Sequence, residues 1–260
     1  MNRLFIATLL ALAPVVTSSP AAADDAPNVF AGAGLGVGLP GLGRYELFAR
    51  AQDTKFLPNV LLEVQLASNK KSTQIVPNTS DAPNRQMVGS GMTSLVLKGG
   101  LIRRSDSSRD AFIDKPGTTR RSGGTTSWEG TIESVDGARS TGLVGGVSFD
   151  RQEWRPEAAS GVEGTEEMGT TMTVIGGLHT DFSPERKKAI STGHELLATY
   201  GLNGQRKGIG ALYRFEFAQY GFLYGGLELG WTFAGTQDNV PWFGLLRIGA
   251  TMGVRFGFAQ

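Results

Sequence analysis

Apolar and polar residues alternate with a period of two along most of this chain. Residues 246–258 show it most plainly. Leu246, Ile248, Ala250, Met252, Val254, Phe256 and Phe258 alternate with Arg247, Gly249, Thr251, Gly253, Arg255 and Gly257. Such alternation marks a β-strand with two unlike faces. The same period runs through 28–40, 44–52, 59–68, 91–104, 126–134, 141–150, 172–182, 194–204, 208–219 and 220–235. Turn and loop residues separate these runs, as in "NKKSTQIVPNTSDAPNRQ", "SDSSRDAFIDKPGTTRRSGG" and "RPEAASGVEGTEE". Parallel strands would need crossover helices. The nearest helical pattern, "SPERKKAIS", is only two turns long. The pattern therefore predicts an all-β antiparallel meander.

The runs are longer than the usual strand of about five or six residues. They match the roughly 9–11 residues a tilted strand needs to cross a bilayer. One face of successive strands carries Arg44, Glu46, Arg50, Glu63, Lys98, Arg214, Glu216, Glu228, Arg247 and Arg255, with Glu129 and Glu133 on the run at 126–134. The other face is apolar. Aromatic residues collect near strand ends: Trp231, Phe233 and Trp242 around one connection, and Tyr220, Phe222, Phe256 and Phe258 at the opposite ends. Apolar bands flanked by aromatic girdles, around a polar interior, describe a membrane barrel. With no water in the bilayer core, such a sheet must close on itself.

These features resemble a bacterial outer-membrane β-barrel of the small porin-like or outer-membrane-protein-A-like kind. The resemblance covers most of the chain after residue 23. It implies a closed antiparallel transmembrane barrel, with the ten charged residues above lining the lumen and the seven aromatics forming the girdles. It implies contact with outer-membrane lipid and lipopolysaccharide. "MGVRFGFAQ" resembles the terminal strand read by the barrel-assembly machinery, with Ala259 and Gln260 following the expected terminal Phe.

Eleven runs are too many by one, because a bacterial single-chain barrel normally has an even number of strands. Treating 29–52 as one segment broken at Pro40-Gly41 gives about ten, with eight or twelve as alternatives. That count places the connections 52–58, 104–124, 151–167, 203–208 and 235–241 outside and 69–90 in the periplasm. A turn centred between Gln237 and Asp238 would set Glu228 opposite Arg247 and Phe233 opposite Trp242. Arg214, Glu216, Glu228, Arg247 and Arg255 would then form a lumenal ion network.

The start of the chain agrees with export. Arg3, an apolar stretch from Leu4 to Val16 and "SSPAAA" before Asp24-Asp25 describe a signal peptide over 1–23. Residues 24–260 are then a single barrel domain in the outer membrane of a Gram-negative bacterium. Loss of Arg3 from the 25 basic residues balances the 24 acidic ones, so no net charge points to nucleic acid. The chain has no cysteine, which removes thiol catalysis and thiolate metal sites.

No motif predicts an enzyme. Gly36, Gly38 and Gly41 fit G-x-G-x-x-G, but their flanks are strands and a dinucleotide site needs a helix after it. His179, Asp181 and Glu195 could serve acid–base chemistry, yet no Ser or second His joins them. The basic pairs and runs at 70–71, 103–104, 120–121 and 186–188 are solvated loops or contacts for lipopolysaccharide phosphates. No metal and no cofactor is expected. The leading expectation is a structural or adhesive barrel or a narrow passive pore with a mixed-charge lumen. The alternatives are an outer-membrane hydrolase with a rim or loop site, and a soluble periplasmic barrel binding an apolar ligand.

Overall fold

The computed structural model describes residues 28–39, 43–74, 87–114, 120–122, 125–127, 130–156, 167–185, 189–203, 207–219, 222–234 and 246–258. The strands are β1 (Val29–Leu39), β2 (Gly43–Gln52), β3 (Val60–Gln74), β4 (Met87–Asp114), β5 (Arg120–Ser122), β6 (Thr125–Ser127), β7 (Gly130–Pro156), β8 (Glu167–Pro184), β9 (Ser191–Gly201), β10 (Gly208–Gln219), β11 (Leu223–Ala234) and β12 (Leu246–Phe258). Ten of them close an antiparallel barrel in the order β1-β12-β11-β10-β9-β8-β7-β4-β3-β2. β5 and β6 pair with each other as a separate small hairpin. The first strand pairs with the last from Val29↔Phe258 to Leu39↔Ile248, so the barrel sheet has no open edge where its ends meet.

The alternation builds the wall with apolar residues outside. Leu101, Leu143, Leu178, Leu196 and Tyr213 sit directly opposite one another on β4, β7, β8, β9 and β10. All five face outward, and Leu101 and Leu143 are 72% and 68% exposed. The inner face is mixed rather than purely polar. Leu61, Val96, Ile102, Val144, Ile175, Leu197 and Leu212 form a buried cluster inside one side of the barrel. Phe30, Phe48 and Tyr224 form a second buried cluster, and charged, amide and hydroxyl side chains fill the rest.

Ten strands is the expected number, reached by a different route. Residues 29–52 are not one broken strand: β1 and β2 pair as a hairpin from Val29↔Ala51 to Val37↔Gly43. The Pro40-Gly41 break at its turn lies outside the described residues. Instead, the runs at 126–134 and 141–150 belong largely to one strand, β7, of 27 residues. The apolar positions change parity between them, from Ile132 to Leu143, Val147 and Phe149, and "DGA" at 136–138 reads as a turn, so the pattern divides a strand that the backbone continues.

This changes the two ends. The connections 53–59, 115–129, 185–190 and 220–222 share an end with Val29 and Phe258. Those at 40–42, 75–86, 157–166, 202–207 and 235–245 share the other. The stretch 69–90 therefore lies with 151–167, and 52–58 and 104–124 lie opposite them. Each hairpin reverses the chain, so one missed turn inverted the assignment of the early connections.

At the end holding Val29 and Phe258, β4 and β7 run on past the barrel. β3 begins at Val60 beside Leu101, and β8 stops pairing β7 at Gly137. Beyond these points the two strands pair only with each other, out to Asp114↔Gly130. Arg109 ties this ribbon back to β9, donating to Thr192 Oγ1 at 2.8 Å and to the Ile190 carbonyl at 3.2 Å. Its guanidinium lies 4.7 Å from the centre of the Phe182 ring. Arg104 donates to Asn28 Oδ1 beside β1 at 2.6 Å.

Candidate functional site: the charged interior

The barrel interior holds two facing rows of charge. In the first, Arg50, Glu63 and Lys98 are direct cross-strand neighbours on β2, β3 and β4. In the second, His179, Glu195, Arg214 and Glu228 are direct neighbours on β8, β9, β10 and β11. Opposite charges on adjacent strands favour each register by roughly 0.2–1 kcal/mol per pair. The rows then bond to one another through the barrel.

Glu63 is one hub. It accepts from Arg50 Nε at 2.5 Å and from Arg214 Nη1 at 3.1 Å, and Lys98 Nζ lies 2.9 Å from it. Glu195 is a second. Lys98 Nζ donates to both its oxygens at 2.5 and 2.6 Å, and His179 Nδ1 lies 2.9 Å from Oε1. Glu228 is the third, within 3.4 Å of Arg44 and 3.5 Å of Arg214 and bonded to Arg247. Arg247 also donates to Asp150 at 3.1 Å, and Ser94 and Ser148 bond the same carboxylate. Arg50 reaches Glu216 at 2.9 Å, and Tyr224 donates to Glu46 at 3.0 Å.

These groups come from every barrel strand except β1, which leaves room instead. A Cβ on Gly32 would lie 2.5 Å from the Phe48 ring. A Cβ on Gly249 of β12 would lie 2.7 Å from the Arg44 guanidinium carbon. Glycine at these positions is what lets large side chains from β2 lie across the neighbouring wall.

Each residue the sequence pointed to has a definite place. Arg44, Glu46, Arg50, Glu63, Lys98, Arg214, Glu228 and Arg247 are buried inside, and Glu216 is there with slightly more exposure. Arg255 faces inward but stands apart from the lattice. It lies over the Phe30 ring and donates to Ser191 Oγ at 3.0 Å. Glu133 is exposed on the β4–β7 ribbon, beyond the barrel wall; Glu129 lies outside the described residues. Among the aromatics, Trp231 is exposed near one end of the barrel, and Phe222 and Phe256 near the other. Phe233 and Phe258 lie on β11 and β12. Tyr220 and Trp242 lie outside the described residues, as do residues 1–23 and 186–188.

The predicted register of the last hairpin is corrected by two residues. Arg247 stands opposite Gly230, and Glu228 opposite Gly249. The pairing of the two strands is centred one residue later than expected, yet the pair still forms along the diagonal.

Sequence reasoning left several interior groups out of the set. Gln52, Gln65, Ser94, Asp150, His179 and Glu195 are all buried inside. Asp150, His179 and Glu195 shared the parity of their strands' inner faces, a signal that was present. His179 is held between two carboxylates, with Nε2 3.7 Å from Asp181 Oδ1. Gln52 Nε2 donates to Asp181 and to Ser140 there.

The interior that remains is small. A cavity of about 40 Å³ lies between the second charge row and the β3–β8 wall. Two smaller voids, each of about 10 Å³, lie beside Arg44 and Tyr224 and beside Arg255 and Phe182.

Fold and interior together define a closed ten-stranded β-barrel that is apolar outside and filled with paired charge inside. No family model matches the chain, and no curated protein matches it by sequence. Among solved structures it is similar to in-vitro folded OmpT, an outer membrane protein of Vibrio cholerae, in trimer form. The two are 11% identical, over 90% of this chain and 100% of that one, with a TM-score of 0.21. At that score the likeness bears on neither role nor mechanism.

Proposed function

We propose that this chain is an integral outer-membrane β-barrel of a Gram-negative envelope, serving a structural or adhesive role and closed to ion flow at rest. The observation that carries this reading is the inverted polarity of the wall. Large apolar side chains face outward on successive strands, while arginine, lysine and glutamate are packed inside. In water that arrangement exposes a continuous apolar belt, which monomeric soluble proteins rarely do. In a bilayer it buries the belt in lipid and leaves every barrel strand paired on both sides.

Residues 1–23 are then a cleaved signal peptide, and residues 24–260 the barrel domain. The outer belt meets lipid acyl chains, the rim toward which 70–71 and Arg151 lie meets lipopolysaccharide phosphates, and the alternating residues 246–258 engage the assembly machinery. A role with nucleic acid has no support in the balanced charge. Three of the four longest connections, 75–86, 157–166 and 235–245, share one end and suit the cell exterior. The end holding Val29 and Phe258 suits the periplasm, and the β4–β7 ribbon and its 115–129 connection, the longest, then project from the periplasmic end.

A narrow passive pore is the second reading, favoured by the small voids left beside the interior charges. A soluble barrel with an apolar chamber is disfavoured, because lattice side chains occupy its centre. A hydrolase is disfavoured, because His179 contacts carboxylates rather than a nucleophile.

Heat modifiability tests the membrane reading. The unboiled protein should stay folded in SDS, migrate apart from the boiled form and require detergent for extraction. Extraction without detergent and no shift on boiling would overturn it. Planar-bilayer recording then separates a closed barrel, which is silent, from a pore.

A further inference from the structure

The 40 Å³ cavity is built from two inner rows. Gln65, Val96, Ser148 and Thr173 are direct neighbours on β3, β4, β7 and β8. Ile175, Thr199, Gly210 and Thr232 are direct neighbours on β8, β9, β10 and β11. All but Gly210 line the cavity, and Thr232 places it toward the end that carries the 235–245 connection.

One lining residue is unlike the rest. Gln65 is 1% exposed, and neither Nε2 nor Oε1 has a hydrogen-bond partner. A buried amide with both ends unpaired calls for an occupant. The charged groups of the lining, by contrast, are already matched: Arg214 and Arg247 with Glu228, and Arg247 with Asp150. An ion entering the cavity finds no free countercharge.

We propose that this cavity binds a short primary carboxamide. A carboxamide presents one donor and one acceptor side by side, the complement of the Gln65 amide, and the two close a pair of hydrogen bonds. A carboxylate offers only acceptors and would set one against Oε1. An alcohol satisfies one end at a time. Val96, Ile175, Leu197 and Leu212 supply an aliphatic wall for the alkyl end. The volume holds about three waters at roughly 10–15 Å³ each, so the chain must be short. Binding in this cavity does not require the barrel to conduct.

The test uses the refolded full barrel in detergent micelles, with propionamide followed by saturation-transfer NMR. Sodium propionate and 1-propanol are the comparison solutes. Propionamide is expected to bind saturably, with a dissociation constant on the order of millimolar for so few atoms. Gln65→Leu is expected to weaken it by about tenfold or more. That variant strands no partner, so its shift on boiling in SDS should match the parent. Thr173→Leu, which fills the cavity from β8 and keeps Gln65, should abolish binding as well. Equal binding by Gln65→Leu, propionate competing as well as propionamide, or no saturable signal would each overturn the proposal. So would a crystal grown in propionamide that shows ordered water alone on Gln65.

Discussion

Glu228 and Arg247 meet across β11 and β12 without standing opposite each other. Their backbone partners are Gly249 and Gly230. Arg247 reaches diagonally over the glycine, donating from Nε to Oε1 and from Nη2 to Oε2 at 3.4 Å. Both side chains are nearly inaccessible, at 6% and 4% exposure. A carboxylate surrounded by Arg44, Arg214 and Arg247 organises the cations of three strands at once.

Glu228→Gln should therefore destabilise the barrel clearly. Removing one partner of a buried pair typically costs about 3–5 kcal/mol. The lower end is expected, because Arg44, Arg214 and Arg247 each keep another carboxylate. The measurement is the urea midpoint of refolding into lipid vesicles. An unchanged midpoint would refute the structural weight given to this hub.

Gly249→Ala should disturb the same lattice from the other side. Its Cβ would fall on the Arg44 guanidinium, which must then swing away from Glu46 and Glu228. A loss of about 1–3 kcal/mol is expected, as for overpacking elsewhere. Combining it with Arg44→Met should recover part of that loss, measured by the same urea titration.

Lys98→Ala with Glu195→Ala removes a paired cation and anion together and so avoids stranding either charge. It opens the region where the two charge rows join. The parent barrel should be silent in a planar bilayer, and this double variant should show small conductance steps. Silence from a folded double variant would show that the remaining side chains suffice to close the barrel.

Leu196→Arg tests the outward belt. Leu196 sits at the centre of β9 and is 58% exposed. An arginine on the lipid face near the bilayer midplane costs about 2–4 kcal/mol. Phe56→Arg, in the 53–59 connection, should fall within about 0.5 kcal/mol of the parent. Equal effects at the two sites would mean that the belt does not meet lipid.

Much of the wall was legible because a period of two assigns each residue to a face without reference to its neighbours. The inner parity of Arg44, Glu63, Arg214 and Arg247 could be read locally. The break between β1 and β2 could not, because both halves keep one parity across the turn. The 27-residue β7 was obscured by a change of parity around Asp136-Gly137, where its pairing with β8 begins: its first residues pair only β4. Gln65 was legible as an inward residue and illegible as an unpaired one.

By itself, then, the sequence determined the two faces of the sheet and the charge of its interior, because alternation and hydropathy are local properties of the chain. Tertiary structure alone decided which charges pair. Arg50 meets Glu216 across 166 positions, and Tyr224 meets Glu46 across 178. Such partners are chosen by the register in which ten strands close, and a shift of two residues leaves every face unchanged while moving each side chain along the barrel.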